Sequence, residues 1–213
     1  IQETLIKSAA DLISEETPNY QYVAGRLINY HLRKMVYDSF TPPCLCDIID
    51  KNIDAGFYDE EFRELYTKDD IDDLNEHINH DRDEVLTYAA MEQFRGKYLV
   101  QNRATGEIFE TPQVAYMMIS ATLFSKYPAE TRMSYVKAYY DAISTFKISL
   151  PTPVMAGVRT PQRQFSSCVL IETNDSLDSI NATSSAIVKY VSQKAGIGIG
   201  AGSIRAVGSK IRS

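Results

Sequence analysis

Through the first two-thirds of the chain, apolar residues recur at the three-and-four spacing of amphipathic helices. Ile1 to Glu16 places Leu5, Ile6, Ala9, Leu12 and Ile13 on one helical face, and Thr17-Pro18 ends the pattern. Tyr20 to Tyr37 repeats it through Val23, Ala24, Leu27, Ile28, His31 and Met35, and Thr41-Pro42-Pro43 reads as a linker. Leu45 to Ala55 predicts a further helix, with Gly56 placed as its C-terminal cap. The acidic run Asp69 to Asp73, ahead of Leu74 and Ile78, reads as a solvated face with acids near a helix start. Tyr98-Leu99-Val100 and Ile108-Phe109, separated by Arg103 to Gly106, predict a small hairpin. Thr111-Pro112 then supplies an N-cap followed by proline at the first helical position. Behind it Val114, Met117, Met118 and Ala121 share a helical spacing. Thr131 to Phe146 predicts another helix with Tyr135, Tyr139, Ala142 and Ile143 inward.

The pattern changes after Lys147. Ile148 to Val158 reads as an extended apolar segment broken by Pro151 and Pro153. Phe165 to Glu172 is strand-like, and its run Cys168 to Ile171 suits a strand buried on both faces. Asn174-Asp175-Ser176 opens a helix from about Leu177 to Lys194, with Asp175 as N-cap, Asp178 resembling a capping box, and Ile180, Ile187, Val188 and Val191 buried. Gly196 to Arg205 starts a further strand or loop. The expected fold class is α/β: a mainly helical N-terminal region, then the opening strands and helix of an α/β layer or barrel.

Composition narrows the partners. The chain is 44% hydrophobic, and 22 Lys plus Arg against 28 Asp plus Glu give a formal charge of −6. That balance disfavours a DNA or RNA polyanion, which needs a basic stripe, but leaves single nucleotides open. No apolar run approaches the ~18 residues of a transmembrane helix, so no membrane association is expected. Three cysteines point to a reducing, cytoplasmic compartment. Both ends have the look of an internal piece, because the first residue is not Met and no closing element precedes Ser213.

The glycine tract Gly196 to Gly202 follows a predicted helix, whereas a dinucleotide fingerprint needs its glycines between a strand and a helix. Alternating Gly and Ile instead suits a strand whose backbone is closely approached. No phosphate-binding GxxxxGK[ST] loop occurs. Cys168 alone reads either as a small buried hydrophobe or as a reactive thiol. Cys44 and Cys46 form C-x-C without partner ligands nearby in sequence, and with His31, His77 and His80 they make no convincing zinc set, so no metal is expected. Arg205, Lys210 and Arg212 crowd the end of an acidic chain, either as a phosphate cradle or as a solvated basic turn.

Several of these signals coincide in one stretch. Leu150-Pro151-Thr152-Pro153-Val154-Met155-Ala156-Gly157-Val158-Arg159-Thr160, then Gln164 to Leu170, Asn174-Asp175-Ser176-Leu177, Lys194 to Gly198, and Gly202-Ser203-Ile204-Arg205 through Ile211-Arg212, resemble the first barrel strands of the class I ribonucleotide reductase large subunit. Residues 1–37 resemble the end of that family's ATP-cone regulatory domain and its junction. Residues 38–147 resemble its helical N-terminal domain, and residues 148–213 the start of its ten-stranded catalytic barrel.

The resemblance implies reduction of ribonucleoside diphosphates by thiyl-radical chemistry, with a cysteine pair as reductant. Cys168 matches one of that pair, and Thr152, Ser167, Cys168 and Gly196 match substrate-pocket positions. Asp175, Ser176, Leu177, Arg205 and Arg212 match the allosteric effector site, and Lys34 matches a contact to activator ATP. ATP and deoxynucleoside triphosphates are the implied effectors, with no cofactor held by this chain. The implied partners are a small subunit carrying a di-iron radical centre, a second copy of the large subunit, and thioredoxin or glutaredoxin. The radical cysteine and the second reducing cysteine are not in these residues, so the piece alone is expected to be inactive. The rival readings are a nucleotide-sensing regulatory module without catalysis and a cobalamin-dependent class II reductase. A C-x-x-C thiol oxidoreductase lacks its motif.

Overall fold

The computed structural model describes residues 1–193 and 195–210. Two compact units emerge, Ile1–Arg163 and Gln164–Ser213. The first contains α1 (Gln2–Asp11), α2 (Tyr20–Tyr37), α3 (Leu45–Asp54), α4 (Phe62–Leu65), α5 (Lys68–His77), a 3-10 turn (His80–Val85), α6 (Tyr88–Gln93), a π turn (Phe94–Tyr98), α7 (Pro112–Phe124), α8 (Ala129–Ser144) and α9 (Thr152–Gly157). The second contains β1 (Cys168–Glu172), α10 (Leu177–Ser192) and β2 (Gly196–Gly200). The α/β class expected from the sequence, helical first and then the opening strands and helix of an α/β layer, is what the chain adopts, and its two strands pair in parallel.

Local signals account for several element ends. Gly56 lies at φ +73 after α3, its N–H donates to the Ile53 carbonyl, and Phe57 N–H reaches back to the Asn52 carbonyl. These two bonds close a Schellman motif that only a residue tolerant of left-handed backbone completes cheaply. Thr67 and Asp70 form a reciprocal capping box on α5. Pro112 begins α7, where its missing N–H costs nothing. The hairpin contracts to a single antiparallel bridge between Gln101 and Ile108.

The core of the first unit is organised around α7, in which Pro112 to Ala121 are all buried. A helix apolar all round belongs inside, and α8 and α9 pack against it. From α2, Ala24, Ile28, Leu32 and Val36 point inward, while Val23 and Met35, expected on that face, are exposed. Only Ile6 and Ala9 of α1 are buried, and Leu5, Leu12 and Ile13 lie outside. On α8 the buried face is Val136, Tyr140 and Ile143; Tyr135 instead stacks on the ring of Phe124.

The stretch Ile148 to Val158, expected to be extended, contains α9. Proline suits the first turn of a helix, so Pro151 and Pro153 mark its start rather than forbidding it. The first compact unit runs on to Arg163, beyond the boundary expected after Lys147, because Arg159 is buried in it. Its guanidinium donates to both Glu110 carboxylate oxygens, to the Met155 carbonyl (2.6 Å) and to the Tyr98 carbonyl (2.9 Å). Glu110 also accepts from Tyr58 Oη (2.5 Å) and from the Val100 N–H (2.7 Å).

In the second unit β1 and β2 pair in parallel, Cys168 opposite Gly196 through Glu172 opposite Gly200, with α10 as the intervening crossover. The expectation of a strand buried on both faces is corrected: Cys168, Leu170 and Glu172 form an exposed face, and Val169 and Ile171 are half-buried. The helix is also less covered than expected, since Val188 and Val191 are exposed and Thr183 is the residue buried along it.

Candidate functional site

The glycine alternation of β2 has a steric cause. Parallel in-register pairing puts the side chains of Cys168, Leu170 and Glu172 on the same face as positions 196, 198 and 200. A Cβ on Gly196 would sit 3.4 Å from Cys168 Sγ and 3.5 Å from the Ser167 carbonyl, and one on Gly198 would come 2.6 Å from Leu170 Cδ2. The side chains of β1 therefore lie over bare backbone, the close approach that the sequence pattern indicated. Cys168 is a free, exposed thiol at the first position of β1. The Gly196 N–H donates to the Ser167 carbonyl at 2.9 Å, so Ser167, Cys168 and Gly196 form one contiguous patch.

At the other end of this unit, Asp175, Ser176, Leu177 and Ile180 line a recess of about 350 Å³, closed opposite by Arg205 to Ser209. Arg205 Nε donates to Asp175 Oδ2 at 2.6 Å, and its Nη1 donates to the Lys210 carbonyl at 2.8 Å. The N-cap of α10 is Ser176, whose Oγ accepts from the Ser179 N–H at 3.2 Å. This corrects the assignment of Asp175 as cap and of Asp178 as its box partner. Displaced by one residue from the cap, the Asp175 carboxylate is turned to the arginine and to the recess. Leu177 is 86% exposed at the rim, an apolar surface beside a carboxylate and a guanidinium. The fold thus brings together four of the five expected effector positions; the fifth, Arg212, lies outside the described residues.

The remaining expected residues fall in the first unit. Thr152 is exposed at the start of α9. Lys34 donates to the Asp38 carbonyl at 2.7 Å and pairs with its carboxylate at 2.9 Å, which holds the Asp38 carboxyl below its ordinary range. The arrangement around Lys34 is a helix C-terminal contact.

Sequence reasoning missed the buried polar residues of this unit. Asp83 is fully buried, accepts from Gln113 Nε2 at 2.8 Å and stands 3.8 Å from Arg33; burial pushes its pKa up to about 7. Gln113 in turn accepts from Tyr140 Oη at 2.7 Å. Glu110 and Arg159 have no spacing in sequence that joins them. Their one visible signal is charge placed inside otherwise apolar context.

Comparison with known proteins gives consistent matches. Residues 84–163 match the family model described as ribonucleotide reductase, all-alpha domain, and residues 166–213 the one described as ribonucleotide reductase, barrel domain. The chain is 63% identical over 212 residues to ribonucleoside-diphosphate reductase 1 subunit alpha of Escherichia coli K12, covering 100% of this chain and 28% of that protein. It is 50% identical over 211 residues to the subunit alpha of Enterobacteria phage T4, covering 99% of this chain and 28% of the phage protein. A more distant similarity, 28% identity over 213 residues, is to the subunit alpha of Treponema pallidum. The chain spans little more than a quarter of the length of the relatives it matches.

Proposed function

Starting from the premise that this chain belongs to the ribonucleotide reductase family, we propose that it contributes one reducing thiol and one face of an allosteric nucleotide site to a catalytic subunit that reduces ribonucleoside diphosphates. The observation that carries this reading is the placement of Cys168. Its sulfur is exposed at the head of a parallel strand pair and lies over Gly196, which adds no side chain beside it. In the proposed reaction the ribose 2′-hydroxyl leaves as water. Cys168 and a second cysteine give up two electrons and two protons and join as a disulfide. The radical-bearing cysteine and that second cysteine belong to other parts of the subunit, so these 213 residues alone do not turn over. Ser167 and the Gly196 backbone offer hydrogen-bonding groups without bulk beside the thiol, and Thr152 supplies a further hydroxyl to the substrate.

The recess around Asp175 and Arg205 is proposed as the effector site. A deoxynucleoside triphosphate or ATP would place its sugar hydroxyl on Asp175 and its phosphates on Arg205 and Arg212, charge-assisted contacts that a guanidinium makes well. Binding there would displace Arg205 from Asp175 and so connect effector occupancy to the loop after β2. Lys34 is proposed as a contact to activator ATP. The assembly we propose is class I: a small subunit with a di-iron centre supplies the radical, a second copy of this subunit completes the dimer, and thioredoxin or glutaredoxin returns the thiols, in the cytoplasm. Among the described residues no helix is long and apolar enough to cross a membrane.

In the complete subunit, Cys168→Ser is expected to abolish multiple turnover while effector binding persists. Sustained turnover by that variant would overturn the role of Cys168.

A further inference from the structure

We infer that Cys44, Cys46 and Asp72 form a binding site for a borderline-soft divalent cation of the zinc class. By sequence the C-x-C pair stands alone, and the third donor comes from another helix. The two sulfurs and one Asp72 carboxylate oxygen all lie within 4.8 Å of one another, close enough for one ion to touch all three.

The backbone holds them there. Cys44 is the N-cap of α3, in extended conformation (φ −55, ψ 141), and Cys46 is in its first turn, so both sulfurs converge at the helix start. In the metal-free chain the hydrogen bond with Cys44 and burial push the Cys46 thiol up to about 11, so an entering ion has to displace that proton. The Leu45 N–H between them donates to Asn75 Oδ1 at 2.8 Å, which fastens the start of α3 to α5. Asp72 lies three residues before Asn75, on the same side of α5. The Asn75 bond therefore delivers the carboxylate to the sulfurs.

The neighbouring acids favour the same reading. Asp70 accepts from the Thr67 N–H in the capping box of α5 and pairs with Arg132, and Asp73 pairs with Lys137 at 2.6 Å. Asp72 makes no hydrogen bond or ion pair among the described residues. Asp47 stands 3.8 Å from Cys46 Sγ and adds to the negative field. Two thiolates beside these carboxylates repel one another unless a cation lies between them. Cys44 Sγ and Cys46 Sγ are 2.7 Å apart, and a tetrahedral ion with metal–sulfur bonds of about 2.3 Å would hold them roughly 3.8 Å apart. Both side chains are half-exposed, and entry of the ion requires the sulfurs to open by about that amount and to give up their hydrogen bond to each other. Two S–H protons leave as the ion enters. Sulfur donors select zinc or cadmium over magnesium or calcium, and three protein ligands leave a fourth position for water.

The test uses the chain of 213 residues carrying Cys168→Ser, within which Cys44 and Cys46 are the remaining thiols. Reduced and metal-stripped, it is titrated anaerobically with Cd²⁺ by the thiolate-to-metal ultraviolet band, and with Zn²⁺ against a chromophoric chelator. One ion per chain is expected, unaffected by excess Mg²⁺. Cys44→Ser or Cys46→Ser should weaken binding by on the order of 100-fold, and Asp72→Asn by roughly tenfold, the scale of loss seen even for outer ligand partners. If a cysteine variant disturbs the start of α3, as circular dichroism would reveal, Asp72→Asn decides, because the Asp72 side chain makes no hydrogen bond or ion pair among the described residues. Equal affinity in wild type and Asp72→Asn overturns the inference. So does recovery of the pair as a disulfide, two hydrogens lighter by mass, that takes up no metal.

Discussion

Arg159→Met is the perturbation that most directly tests how α9 is held. Arg159 and Glu110 both have fully buried side chains, so the variant leaves a carboxylate in the interior with only Tyr58 Oη and the Val100 N–H as donors. Removing one partner of such a pair costs about 3–5 kcal/mol, most of it the desolvation of the charge left behind. The Met155 and Tyr98 carbonyls lose their donor as well. Taking the low end, about 3 kcal/mol corresponds to a fall in Tm of roughly 6–12 °C for a chain of this size. The assay is thermal and urea unfolding of wild type, Arg159→Met, Glu110→Gln and the double variant. The double variant should lose at least about 2 kcal/mol less than the two single losses added together, because neither charge is then stranded. A single-variant loss below about 1 kcal/mol, or strictly additive losses, would refute the account of Arg159 as the anchor of α9 and hence of Thr152.

Asp83 ties stability to pH. Its carboxyl ionises at about 7 in the folded chain against an ordinary 3.8, so between those values the folded state keeps a proton that the unfolded state has lost. Stability should therefore fall as pH rises through that window, by up to about 1.4 kcal/mol per pH unit, and Asp83→Asn should flatten the slope in unfolding curves taken from pH 4 to 7. Arg205→Ala and Asp175→Ala should each weaken deoxynucleoside triphosphate binding by about tenfold or more in calorimetry of the complete subunit, the scale of one charge-assisted bond; unchanged isotherms would remove the effector assignment. Ser176→Ala should cost about 1 kcal/mol of α10 stability by loss of its cap, while Asp175→Ala leaves helix content by circular dichroism unchanged.

What the residues determine by themselves is local. The span of α2, the Thr67 capping box, the proline start of α7, the glycine that ends α3 and the close approach implied by alternating Gly and Ile all depend on neighbours within a turn or on strand parity. Such signals survive in any tertiary setting because backbone sterics and capping bonds act over a few residues. The resemblance carried by Leu150 to Arg212 is likewise legible in the sequence. Tertiary structure decided the rest. It turned the proline-broken stretch into α9 by burying Arg159 on Glu110, a partner 49 positions away. It moved the cap of α10 from Asp175 to Ser176 and freed the aspartate for Arg205. It also brought Asp72 to a cysteine pair that stood alone in sequence. Each of these outcomes depends on which distant groups share a desolvated or crowded space, and periodicity along a chain holds no record of that.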